Sequence, residues 1–127
     1  MIELDVIDYD KKEITVTLDG KDLRLEVISL ASQKGSLALN RFLKYTEKAK
    51  INGTELFTDV IVLGEKVDIE PTKEYLKANA WLSFQLASGF PDGMDVMAEL
   101  EGNYPLANFI FNTAQNLMNE FNAKKKL

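Results

Sequence analysis

The stretch that most constrains this chain is residues 75–88, YLKANAWLSFQLAS. Leu76, Ala80, Phe84 and Ala87 recur at helical spacing and line one face. Tyr75, Ala78, Leu82 and Leu86 line a neighbouring face, and Trp81, the only tryptophan, sits beside both. A helix apolar around so much of its circumference is buried on several sides, so other elements must wrap it. Pro71 suits a first helical turn, and Gly89 suits a left-handed cap just past Ser88.

The 127 residues form one expected domain, long enough to bury a single core. Residues 1–28 read as a β segment, 29–122 as mainly helical, and 123–127 as a frayed basic tail. No apolar run approaches the ~20 residues that span a bilayer, and Met1-Ile2-Glu3 does not open a signal peptide. A cytoplasmic protein with no membrane partner is therefore expected. With no cysteine there is no disulfide framework or thiolate metal site. The missing histidine removes the commonest general base and metal ligand. The net charge of -5 weighs against binding a phosphate backbone, so partners are expected to be protein and not nucleic acid.

Residues 2–9 alternate loosely, with Ile2, Leu4 and Val6 facing one way, as in an edge strand. Ile14, Val16 and Leu18 alternate with Thr15 and Thr17; after Asp19-Gly20, Leu23, Leu25 and Val27 resume the pattern. Two alternating runs around Asp-Gly predict a β-hairpin over 13–27. Ser29 is a candidate N-cap for a helix to about Lys48, with an apolar side of Leu30, Leu37, Phe42 and Tyr45. Lys34, Arg41, Lys44 and Lys48 give it a basic side, read as a solvated face, and Gly35, at a cost of ~1 kcal/mol against alanine, is expected to break or delay it. Asn52-Gly53 is a turn. Residues 56–63 (LFTDVIVL) suit either a strand, closing a second hairpin through Gly64-Glu65 onto 66–69, or a short helix from Thr54.

After the turn at Phe90-Pro91-Asp92-Gly93, Met94, Met97 and Leu100 predict a short helix over 92–101, ended by Gly102. Asn103 caps the last helix and Pro105 sits in its first turn. Leu106, Phe109, Ile110, Ala114, Leu117 and Phe121 form its expected core stripe. Phe111 and Met118 widen the apolar arc to roughly 200°. They are expected to join Met94 and Met97 in an exposed or semi-exposed patch. The fold class is thus α+β: N-terminal β-hairpin or hairpins, then a mainly helical part around a buried central helix.

No catalytic constellation assembles. A serine nucleophile would need lysine as its base, and no Ser–Lys pair is marked. Asp92 and Asp95 are better read as negative charge in a first helical turn than as a metal or acid pair. No glycine-rich phosphate loop is present. A non-enzyme without cofactor or metal is expected.

The order short β segment, apolar-basic helix, very apolar helix (YLKANAWLSFQL), then a helix opened by Tyr104-Pro105 resembles the tail assembly chaperones of long-tailed phages, the lambda-type tail assembly protein G family. The hairpin at Asp19-Gly20 and the candidate one at 60–69 are more β than that pattern has. The resemblance spans residues 15–18, 30–47, 75–86 and 96–118. It implies a non-enzymatic assembly factor that coats the tape measure protein, with a longer frameshifted fusion recruiting tail tube subunits. Lys124-Lys125-Lys126 must be encoded by AAA or AAG codons, which is consistent with such a frameshift, although a solubilising basic tail is the commoner reason for such a run. Met94, Met97, Phe111 and Met118 are the candidate partner-binding residues, since methionine and phenylalanine offer adaptable surface. Self-association through the same patch is a further expectation. The competing readings are a small acidic inhibitor or immunity-type protein and a head–tail connector component.

Overall fold

The computed structural model describes residues 10–125. The edge strand expected over 2–9 lies outside them. The chain is α+β. It runs β1 (Lys11–Leu18), β2 (Lys21–Ile28), α1 (Gln33–Ile51), β3 (Phe57–Val62), β4 (Glu65–Pro71), α2 (Lys73–Leu86), β5 (Ala87–Ser88), α3 (Val96–Glu101) and α4 (Tyr104–Lys125).

The first hairpin follows from its turn. Asp19 and Gly20 both take positive φ, 54° and 76°, the twist that joins antiparallel strands through two residues. Leu18 then faces Lys21, and Ile14 faces Leu25. That register puts Ile14, Val16, Leu18, Leu25 and Val27 on one buried face. The opposite face carries cross-strand ion pairs, Lys11 with Glu26 and Arg24 with Glu13.

The first helix starts later than Ser29. Ser29 is fully buried at the end of β2, and the N-cap is Ser32, whose Oγ accepts the Gly35 N–H at 3.1 Å. The same hydroxyl donates to the Ser29 carbonyl at 2.6 Å, which folds the connection back on itself. The helix is delayed past Ser29 but not broken at Gly35, which lies in its first turn and permits the start. A Cβ there would stand 2.3 Å from the Ser29 carbonyl oxygen. The packing stripe of α1 is also not the expected one. Gly35, Ala38 and Ala49 are buried and Phe42 is half-buried, whereas Leu37 and Tyr45 face outward.

Helix α2 is central, touching α1, α3 and α4, but its ends and faces differ from expectation. Pro71 closes β4, Thr72 precedes the helix, and the helix stops at Leu86. Ala87 and Ser88 form a short strand against Val27 and Glu26. Gly89, with φ 106°, is not a helix cap; it lets the backbone pass β2, where a Cβ would lie 2.7 Å from the Arg24 carbonyl oxygen. The buried stripe is Asn79, Ala80, Leu82, Ser83 and Leu86. Its two polar members are satisfied: Asn79 bonds Asn108, and Ser83 donates to the Ala80 carbonyl. Phe84 is left outside, near Phe90.

The short α3 is capped by Asp95, whose carboxylate accepts the Ala98 N–H at 3.2 Å, and ends at Gly102. Asn103 accepts the Leu106 N–H, so the expected start of α4 holds. Its inner stripe is Leu106, Ala107, Ile110, Thr113, Ala114 and Leu117, while Phe109 is 48% exposed. The helix runs to Lys125, and Lys124 pairs with Asp10 at 2.9 Å.

Candidate functional site

Among the described residues, two features present apolar surface to solvent, the second hairpin and a cleft between two helices. Residues 56–69 resolve as strand, turn and strand, with Leu63 and Gly64 both at positive φ in a tight turn. Along β4, Val67 and Ile69 alternate in sequence with Asp68 and Glu70. A register shift between Val60 and Ile61 interrupts the ladder, so Lys66 pairs with Asp59 on the face that carries Ile69. Among the described residues the body of the fold lies against the hairpin's base alone. Every residue from 61 to 70 is exposed, and Leu63 at the tip is 100% exposed. Among the described residues the two-stranded sheet joins no other strand. A free two-stranded ribbon is marginal in water, and this one is held at its base only. There Phe57 packs on Tyr75, and Thr72 bonds back to the Leu56 and Glu55 carbonyls.

The second feature is a cleft of about 360 Å³ between α1 and α2. Arg41, Phe42 and Tyr45 line it from α1; Lys77, Ala78 and Trp81 line it from α2. Positions 41 and 45, and 77 and 81, are each one helical turn apart, so both walls follow from the helices' own repeat. The floor is aromatic and the rim is cationic. Among the described residues neither Arg41 nor Lys77 is in an ion pair. At one end the Tyr45 hydroxyl donates to Glu74 at 3.3 Å. Partial desolvation and the Glu74 carboxylate push its pKa upward.

Charge divides between the two features. Helix α1 carries five basic residues against one acidic, Glu47; the 57–71 arm carries four acidic residues against one basic, Lys66.

The four residues expected from sequence lie elsewhere. Met94, Met97, Phe111 and Met118 are half-buried and pack against the core. Phe111 lines a smaller cleft with Phe42, Tyr75, Asn79 and Asn108, so it abuts the aromatic groove across Phe42. Neither cleft is lined by any of the three methionines. Trp81 is half-buried: it packs against the core on one side and lines the groove on the other. The groove had one legible signal, a lone tryptophan set between two apolar faces. The uncovered arm had none, because alternation says which residues share a face and not what covers it.

Among the described residues no group of three or more acidic side chains could hold a metal ion. No helix among them is long and apolar enough to cross a membrane. The chain matches no family model, no curated protein and no solved structure.

Proposed function

We propose that this chain is a non-enzymatic tail assembly chaperone that holds an amphipathic helical segment of a tape measure protein in the groove between α1 and α2, in the cytoplasm of an infected host. The observation that supports it is the groove: concave, aromatic, open to solvent and edged by two unpaired cations. An apolar helix stripe flanked by carboxylates complements such a surface, with anchors at helical spacing. The order of elements behind the resemblance to lambda-type tail assembly proteins supports the choice of partner.

The reading requires a long, helix-rich tape measure reading frame beside this one. Co-expressed with the chain, its product should stay soluble and co-purify. Ala78→Arg, which fills the cleft with a good helix former, should abolish that. Absence of such a neighbour, or solubility unaffected by Ala78→Arg, overturns the reading.

A further inference from the structure

The arm and the groove fit each other. We propose that the Leu63-Gly64 tip of the 57–71 arm of one copy docks in the Phe42–Trp81 groove of a second copy, capping the client site until a client displaces it. This rests on the groove being the client site, as proposed above.

Three observations carry it. The tip is apolar where the backbone disfavours it. Position 63 has φ 52°, a conformation that suits Asn, Asp or Gly in a two-residue hairpin turn, yet a fully exposed leucine stands there. Stability of the hairpin alone does not account for that residue. Charge is complementary: Glu65 follows the tip directly and Asp68 lies on the next stretch of β4, while Arg41 and Lys77 stand unpaired at the groove's rim. The tip does not occupy its own chain's groove in the structure: residues 61–70 are all exposed, and none of them lines the cleft. A second copy presents the same acidic apolar tip to the same basic aromatic cleft.

Such a contact is heterologous: each copy uses its arm on one neighbour and offers its groove to another. It is also small, so it belongs with weak, exchangeable contacts and not permanent ones. A weak cap suits a site that must be released to a client.

Sedimentation velocity of the full chain, from about 1 μM to about 1 mM, tests it across the range of weak to moderate affinity. The wild type should gain mass with concentration, and less so in about 1 M salt, where charge is screened beyond ~3 Å. The emission of Trp81, the sole tryptophan, should shift to the blue over the same range. Leu63→Asn, which suits the turn and should melt no lower than wild type, should stay monomeric. Arg41→Glu with Lys77→Glu, both exposed positions, should also stay monomeric. Mixed in equal amounts, the two variants should form one-to-one pairs, because one retains the groove and the other the tip. A monomeric wild type, a mixture that does not pair, or association without a Trp81 shift overturns the proposal. Client binding is read separately on the Leu63→Asn monomer, with a synthetic helix bearing a leucine stripe between glutamates as probe. Binding there with no self-pairing removes only the cap, whereas self-pairing with no probe binding removes the client reading of the groove.

Discussion

The rings of Phe57 and Tyr75 stand 4.5 Å apart, tilted by 44°, and through them the projecting arm is tied to the central helix. Tyr75 is also edge-on to Phe42 at 5.9 Å and to Tyr104 at 6.4 Å. One side chain therefore joins the arm, α1, α2 and the start of α4. An aromatic pair of this kind adds about 1 kcal/mol beyond its buried area. Phe57→Ala should loosen the arm alone. Amide exchange should quicken over β3 and β4 and stay unchanged over β1 and β2. A uniform change would mean that the arm and body unfold as one unit.

The same hub gives the protein an alkaline limit. Burial, and then the neighbouring Tyr104, push the Tyr75 pKa above its ordinary value of 10.0. The native state thus holds the phenol proton more tightly than the unfolded chain does. The resulting stability is complete below pH 10 and is lost as pH rises through the folded pKa. Tyr75→Phe keeps the ring and removes the ionisation. Above pH 10 its melting temperature should fall less steeply than that of the wild type; parallel curves would show that Tyr75 ionises freely.

The α+β order and the first hairpin were legible because alternation and Asp19-Gly20 state the same thing twice. The last helix was legible from Asn103 and Pro105 for a similar reason. What failed was the choice of inward face. On α2 the core accepts Asn79 and Ser83 because Asn108 and the Ala80 carbonyl satisfy them, and Phe84 is displaced outward. On α1 small residues let the helices approach, so Leu37 and Tyr45 are left to solvent. Hydrophobicity ranks residues by type, whereas close packing ranks them by fit, and neither partner is visible in the helix's own sequence.

Trp81 shows the consequence. Read as the occupant of a large core site, its truncation to alanine would cost ~3–5 kcal/mol. Half-buried in the wall of the groove, it should cost about 1–2 kcal/mol. Leu82→Ala, at a neighbouring residue that is 1% exposed, should cost about 3 kcal/mol. Urea melts of the two variants decide it, and the reverse order would return Trp81 to the core.

Gly35 tests whether local propensity or packing governs the start of α1. Helix propensity alone predicts that Gly35→Ala stabilises by up to ~1 kcal/mol. The Ser29 carbonyl at 2.3 Å from the new Cβ predicts the opposite, because the connection 29–32 would have to move away. Overpacking of this sort costs about 1–3 kcal/mol, and a thermal melt should show the variant below wild type. A higher melting temperature would mean that the Ser29–Ser32 turn yields readily.

Phe111 and Met118 were expected to lie on a binding patch that tolerates polar substitution. Both are half-buried against a core that includes Ile110, Ala114 and Leu106. Phe111 in addition stands in the cleft beside Phe42 and Tyr75, next to the hub that holds the arm. Removing them takes apolar area out of contact with core residues, at about 25 cal/mol per Å². Phe111→Ser with Met118→Ser should therefore lower stability by about 2–4 kcal/mol, a loss that separates structural from surface positions. Circular dichroism melts read the first effect. Sedimentation of the still-folded double variant at low temperature reads the second: self-association should survive, because the arm tip and the groove's cationic rim are untouched. A double variant that melts within a few degrees of wild type and no longer associates would move the binding surface back to α4.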